Sequence, residues 1–255
     1  MGDTDVVRHL DTAPVELTRT RDRLTVSEVF GPTVQGEGPN TGRRCGFVRL
    51  GLCNLDCSWC DTAYTWDWTR YNRRAELHDV TFEELACQVD ALGVRRLVIS
   101  GGEPLVQGPR LTRFLEFLDG RYAIEIETNG TLDPTGLAFL VDHWNVSPKL
   151  AHSGVAMHKA QKPDVLRAFT RLPALSGFST VAFKFVCKAK VDILEVRQLV
   201  ERCDIDPASV WIMPEGTSAY NIVKGIERLA DTTIANGFNL TSRLHVLAWG
   251  DTRGT

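Results

Sequence analysis

Three cysteines lie within eight residues, Cys53-Asn-Leu-Asp-Cys57-Ser-Trp-Cys60. Their spacing fits an iron–sulfur cluster held by three protein thiolates, where an electron-transfer cluster takes four. Three ligands leave one iron open, and an open metal position is where chemistry occurs. Zinc also uses short cysteine spacings, but structural zinc takes four ligands, commonly in two separated pairs. Cys45, Cys87, Cys187 and Cys203 form no second pair, so a zinc site would have to recruit Cys45 or His78. An odd total of seven cysteines in a long chain argues against a disulfide framework. Cys87, Cys187 and Cys203 fall in helix or strand patterns and read as small buried apolar residues. Cys45 stays an open case.

Other polar groups could serve such a centre. Gly101-Gly102-Glu103-Pro104 could let a ligand approach the backbone closely, or could simply make a tight turn. Glu125 and Glu127 alternate with Ile124 and Ile126, so both carboxylates face one side and need partners or a ligand hydroxyl. Glu127, at the end of its run, is the functional candidate, and Glu125 the structural one. Lys149 could contact a carboxylate or be an ordinary solvated lysine. Arg49 alternates with Val48 and Leu50, so it must meet an anionic ligand or a buried acid such as Glu125 or Glu127. The glycine- and proline-dense run Phe30–Pro39 reads as a shaped loop.

Positioning these groups falls to alternating strands and helices. Strands are expected at Phe47–Leu52, Arg96–Ser100, Ala123–Glu127, Trp144–Ser147, Ala182–Val186, Val210–Met213 and Leu244–Ala248. Thr81-Phe-Glu-Glu84 predicts a capping box, Asp133-Pro134 and Asp192-Ile-Leu-Glu195 predict helix starts, and a long helix is expected over 218–236. Such alternation implies a parallel sheet with chemistry at the carboxyl ends of its strands. The loops Cys53–Asp61, Gly101–Pro104, Thr128–Gly130, Pro148-Lys149 and Pro214–Gly216 each follow a strand on that one edge. Seven strands are too few for a closed eight-stranded barrel, so the expected fold is α/β, a partial parallel β/α barrel. Residues 1–24 read as a polar extension of disordered composition, and 25–255 as a single domain.

Composition narrows the class. The chain of 255 residues is 43% apolar and 24% charged, with net charge −3, which is the balance of a soluble globular protein with no basic footprint for nucleic acid. The basic stretch Arg70-Tyr-Asn-Arg73-Arg74 reads as a solvated loop. No apolar run approaches the about 18 residues of a membrane span. Free thiols and the absence of a signal-peptide pattern give a cytoplasmic expectation.

The cysteine loop followed by the glycine-pair motif resembles the radical S-adenosylmethionine superfamily. Within it, Glu28–Gly38, Phe47-Val-Arg49, Cys60-Asp-Thr62, Ser100-Gly-Gly-Glu103, Glu127-Thr-Asn-Gly130, Ser147-Pro-Lys149 and the final Leu247–Gly254 resemble the 7-carboxy-7-deazaguanine synthase family. The resemblance runs from Thr25 to the last residue. It implies a carbon–nitrogen lyase of queuosine and other deazapurine biosynthesis. A [4Fe–4S] cluster would bind S-adenosylmethionine and cleave it to methionine and a 5′-deoxyadenosyl radical. That radical would take a hydrogen from C6 of 6-carboxy-5,6,7,8-tetrahydropterin. Ring contraction with loss of ammonia would follow, with S-adenosylmethionine regenerated. By position, Cys53, Cys57 and Cys60 would ligate the cluster and Thr62 a magnesium ion. Val34, Gln35, Gly36, Arg49 and Ser100 would serve the pterin. Trp59, Gly102, Glu127, Ser147, Pro148 and Lys149 would hold S-adenosylmethionine, with help from Ile212–Glu215. The resemblance also implies a flavodoxin- or ferredoxin-like electron donor and a homodimer. Two other readings stay open on the residues themselves: a glycyl-radical activating enzyme acting on a protein partner, and a zinc-stabilised binding module.

Overall fold

The computed structural model describes residues 22–255. Its nine strands are β1 Arg23–Val34, β2 Arg44–Leu50, β3 His78–Thr81, β4 Arg96–Gly101, β5 Ala123–Thr128, β6 His143–Val146, β7 Thr180–Cys187, β8 Val210–Pro214 and β9 Asn239–Leu240. They form one sheet in the order β3-β1-β2-β4-β5-β6-β7-β8-β9. From β2 through β9 the neighbours run parallel, while β1 is antiparallel to both β2 and β3. With β3 and β9 as its two edges the sheet is open, a partial β/α barrel.

Six helices of more than one turn connect the strands: α1 Phe82–Ala91, α2 Gly108–Leu118, α3 Pro163–Ser176, α4 Lys190–Cys203, α5 Ala219–Ala235 and α6 Leu244–Trp249. Side-chain caps explain where several of them start. Thr81 and Glu84 exchange the two bonds of a capping box at α1, and Ser218 caps α5 by accepting from the Asn221 N–H. Asp192 accepts from the Lys188 and Ala189 N–H groups at the start of α4.

The two faces of the sheet differ in chemistry. One packs Val48, Leu50, Leu97, Ile99, Ile126, Trp144, Phe183 and Phe185 against the helices, all essentially fully buried. At about 1.5–3 kcal/mol per large apolar side chain, this layer is the chief stabilising term. The alternate residues, among them Arg49, Ser100, Glu125, Glu127, Asn145 and Lys184, belong to the opposite, concave side. That division places the polar chemistry inside the half-barrel.

Six of the seven expected strands are present. The seventh, Leu244–Ala248, is instead helix α6, because a short apolar run does not distinguish strand from helix. Asp133-Pro134 opens only a three-residue turn, Thr135–Leu137. Strand β1 has no counterpart among the expected strands. It takes in Arg23 and Leu24, which composition places in the extension, and Leu24 is fully buried. Residues 1–21 of that extension lie outside the described residues. No helix among the described residues is long and apolar enough to cross a membrane.

Candidate active site

Loops at the carboxyl ends of the parallel strands enclose a cavity of about 390 Å³. Val34, Gln35, Gly36, Arg49, Ser100, Trp59, Gly102, Glu127, Ser147, Lys149, Cys53, Cys57, Cys60 and Thr62 all line it. Pro148 is the exception, standing between two lining residues without reaching the cavity itself. Of the Ile212–Glu215 segment, Met213 and Glu215 line the cavity, whereas Ile212 is buried in the helix-facing core.

The cysteine loop is fixed by backbone contacts that require glycine. The Gly102 N–H donates to the Leu50 carbonyl at 3.0 Å, and the Glu103 N–H to that of Leu52 at 2.8 Å. A Cβ on Gly101 or Gly102 would overlap the Leu50 or Leu52 backbone. The glycine pair therefore serves close approach of the cysteine loop. Glu103, fully buried, accepts from the Leu105 N–H, the Thr128 hydroxyl and the Asn129 N–H at 3.0, 2.8 and 2.6 Å. Asn129 in turn donates to Asn54 at 2.9 Å, tying β5's loop to the cysteines. On the other side Leu55 and Cys57 pack on Val155 and Ala160.

The donor set suits a cationic iron cluster. The Leu55 N–H points at Cys53 Sγ (3.4 Å) and the Trp66 indole N–H at Cys60 Sγ (3.3 Å), both stabilising to thiolate. Burial pushes the Cys53 thiol up to about 12 and also raises Cys57, so without a metal these groups hold their protons. Iron would displace them, as metals do at coordinating thiols. Among the described residues no three His, Cys, Asp or Glu side chains are gathered around one point as the ligands of a single metal ion would be. A lone tetrahedral zinc needs its thiolates about 3.8 Å apart. A cluster takes one thiolate at each of three corner irons and needs a wider triangle. Cys45 lies near the amino end of β2, about 16 Å of strand from the loop. It is buried beside Phe47 and Val98, and His78 sits exposed on edge strand β3. Cys187 and Cys203 are buried as expected, but Cys87 is exposed on α1.

A charged network that the sequence had not revealed forms the cavity's other wall. Glu37 receives Lys184 from β7 through a short contact, Arg243 at 2.9 Å, and His245 at 3.9 Å. Burial alone would raise the Glu37 carboxyl, but Lys184 and Arg243 outweigh it and hold it well below the usual carboxylate range. Arg243 also grips Asp61, next to the cysteine loop, and donates to the Gly216 carbonyl at 2.9 Å. The partners are 147, 206 and 182 residues apart, beyond any local pattern. The one available signal was Lys184 itself, an ion in an otherwise apolar strand. The first turn of α6 pins the same wall: the Leu244 N–H donates to the Gly36 carbonyl at 2.8 Å, and a Cβ on Gly36 would overlap the His245 ring.

Arg49 has an acidic partner, but it is neither Glu125 nor Glu127. Its Nε meets Glu28 of β1 at 2.6 Å, while its guanidinium stands 5.5 Å over the Phe30 ring. Among the described residues its two Nη groups take no protein acceptor. Glu28 also accepts from the Tyr64 hydroxyl at 3.0 Å and from Arg253 at 3.2 Å. Glu127 accepts from the Ser100 hydroxyl at 2.7 Å, with Lys184 3.9 Å away. Glu125 stays out of the cavity, as its structural reading expected. Trp59 stacks on His152 at 5.6 Å with Lys149 5.7 Å over its ring, and its buried indole N–H has no partner among the described residues.

Comparison with known proteins agrees with this geometry. Residues 48–152 match the radical SAM superfamily. A 7-carboxy-7-deazaguanine synthase from Pyrobaculum aerophilum is 35% identical over 235 residues, covering 91% of this chain and 97% of that protein. One from Rhodopirellula baltica is 28% identical, covering 97% and 95%. Among solved structures, QueE from Escherichia coli superposes with TM-score 0.63 at 23% identity, over 88% of this chain and 95% of that one. SuiB of Streptococcus suis bound to S-adenosylmethionine gives 0.50 at 15% identity, over 76% and 49%.

Proposed function

The chain belongs to the 7-carboxy-7-deazaguanine synthase family of radical SAM enzymes, and we propose from that membership how its cavity performs the ring contraction. The reaction takes 6-carboxy-5,6,7,8-tetrahydropterin to 7-carboxy-7-deazaguanine with loss of ammonia, a step of queuosine and deazapurine biosynthesis. Neither a zinc module nor a glycyl-radical activator fits that membership. One observation carries the reading: the three thiols and the anion-seeking Arg49, on the strand that leads into their loop, line one cavity.

Cys53, Cys57 and Cys60 would hold the [4Fe–4S] cluster. Bound there, it supplies the electron that cleaves S-adenosylmethionine and so the radical that takes hydrogen from pterin C6. The remaining work is positional. Gly102 exposes backbone to the amino-acid end of S-adenosylmethionine, and Ser147, Pro148 and Lys149 flank it, Lys149 as the carboxylate's counter-ion. Glu127, already oriented by Ser100, accepts ribose hydroxyls, and Trp59 offers its ring to the adenine. Val34, Gln35 and Gly36 face the pterin, and the free Nη pair of Arg49 takes its carboxylate in a bidentate grip. Glu37, Lys184 and Arg243 keep that wall rigid and ionised, so the substrate meets fixed charges in a site shielded from bulk water.

Magnesium would rest on the Thr62 hydroxyl, whose Oγ1 lies 3.6 Å from Cys60 Sγ. A hard cation prefers six oxygens, so substrate carboxylate and water would complete its shell. Residues 25–255 work as one catalytic unit, as a cytoplasmic homodimer reduced by a small flavodoxin- or ferredoxin-like protein. The test is anaerobic incubation of reconstituted protein with the pterin, S-adenosylmethionine and dithionite. A product lighter than the pterin by one ammonia supports the reading. Release of 5′-deoxyadenosine with the pterin unconsumed contradicts it.

A further inference from the structure

Glu125 is 1% exposed, yet it is surrounded by donors rather than apolar atoms. One carboxylate oxygen takes the Gln35 side-chain amide at 2.6 Å. The other takes the Asn40 amide at 2.7 Å and has Arg96 at 3.6 Å. Both amides belong to the turn after β1, which presents Val34–Glu37 to the cavity. Gln35 is itself 1% exposed and extends the connection. The same amide reaches Glu127 at 3.3 Å, and Gln35 Oε1 accepts the Glu37 N–H at 3.2 Å. Every polar atom of the Gln35 side chain is thus engaged.

We propose that Glu125 is the positioning residue of this substrate loop: its two oxygens hold the Gln35 and Asn40 amides and so fix the Val34–Glu37 backbone against β5. The assignment of the loop to the pterin rests on the reading of the cavity above. The geometry demands a carboxylate at this position. Two NH2 groups converge on it from opposite sides, and only a carboxylate presents an acceptor to each. A glutamine would satisfy one amide and turn its own NH2 against the other. The arrangement explains why an ionisable group with no access to the cavity is buried, where burial is costly without a dedicated role. Two observations show that the rest of the loop has little slack. Gly38 packs on the fully buried Asn145 amide, with the position of an added Cβ 3.0 Å from Asn145 Nδ2, and its N–H donates to Thr241 at 3.0 Å.

Three variants test this: E125Q, N40D and the double variant E125Q/N40D. E125Q sets NH2 against NH2, and N40D sets carboxylate against carboxylate. The double variant restores an NH2-to-carboxylate pair with the roles exchanged, and leaves the new side-chain carbonyl at position 125 free for Gln35. The first readout is hydrogen exchange of the peptide spanning 34–41 in each intact protein, which needs no activity. Each single variant should exchange there about tenfold faster than the parent, the scale of one lost hydrogen bond to a charged group. The double variant should return close to the parent. In the assay, pterin KM should follow the same pattern, with each single variant raising KM more than it lowers kcat, while S-adenosylmethionine affinity holds. If both single variants lower only the melting temperature and leave exchange at 34–41 unchanged, Glu125 is merely structural. Failure of the double variant to recover also overturns the proposal. Should the parent protein not convert the pterin, the reading of the cavity fails separately, and exchange still decides the role of Glu125.

Discussion

Replacing Arg49 with lysine separates a substrate-gripping role from a structural one. In the parent protein the guanidinium divides its work: Nε is committed to Glu28 at 2.6 Å, and the Nη pair remains for a ligand. A lysine ammonium keeps the charge but is a single point donor and cannot serve both sides. Glu28 would not be stranded, because Tyr64 and Arg253 still donate to it at 3.0 and 3.2 Å. The fold should therefore lose little, and the melting temperature should move by only a few degrees. The substrate should lose its bidentate, charge-assisted contact, which is worth on the order of 1.5–3 kcal/mol. At 1.4 kcal/mol per decade, that raises the pterin KM roughly 10- to 150-fold. Steady-state kinetics with pterin varied at saturating S-adenosylmethionine, beside iron content and a melting curve, provide the assay. If R49K unfolds or loses iron while the surviving enzyme has a normal KM, Arg49 serves Glu28 and the argument is refuted.

The cysteines should divide sharply: alanine at 53, 57 or 60 abolishes iron retention under anaerobic reconstitution, whereas alanine at 45, 187 or 203 does not. Iron assay and visible absorbance check this, and iron loss in C45A alone would redraw the ligand set. Gly102→Ala forces a methyl onto the Leu52 carbonyl and should cost about 1–3 kcal/mol along with cluster affinity, whereas Gly136→Ala, with open space around it, should be neutral in the same melts. The acid stability of the protein should depend on His143. Its imidazole is held down to about 4, first by burial and then by Arg96 and Arg43, from 6.5 in the unfolded chain. The unfolded state therefore binds the proton first, and up to about 3 kcal/mol should be lost as pH falls from 6.5 towards 4. Glu125, raised to about 7 by burial and then by Glu127, works oppositely, so its contribution is lost as pH rises from 4.5 towards 7. The difference in stability between the parent and H143Q isolates the histidine, and a difference independent of pH across that window would contradict the assignment.

The sequence was most legible where chemistry is local. The cysteine loop, the glycine pair and the Glu125/Glu127 alternation each occupy a few consecutive residues whose spacing alone limits what they can do. Six parallel strands were readable because strands buried on both faces form short apolar blocks. Strand β1 was hidden because its register shifts between Phe30 and Thr33, around Gly31-Pro32, breaking the alternation that marks a strand. Helix α3 carries a normal signal, Pro163 at its start and Leu166, Phe169 and Leu172 on one face, but Pro173 in its interior obscures it. Segment Leu244–Trp249 is too short for its period to tell. What no sequence pattern could supply was pairing across the half-barrel. The connections of Glu37 to Lys184 and Arg243 exist only once the sheet has curled, whereas Arg49 meets Glu28 as its cross-strand neighbour on β1 and was hidden along with that strand.

If the cysteine loop and the opposite wall together run a ring contraction with S-adenosylmethionine as a reusable cofactor, each molecule of S-adenosylmethionine serves many turnovers. The most direct measurement is the number of 7-carboxy-7-deazaguanine molecules formed per molecule of S-adenosylmethionine supplied, in anaerobic reactions with excess pterin and reductant. Product should exceed S-adenosylmethionine many-fold, with little free 5′-deoxyadenosine. A strict one-to-one yield of product and 5′-deoxyadenosine, or no deazapurine from protein carrying its full complement of iron, would contradict it.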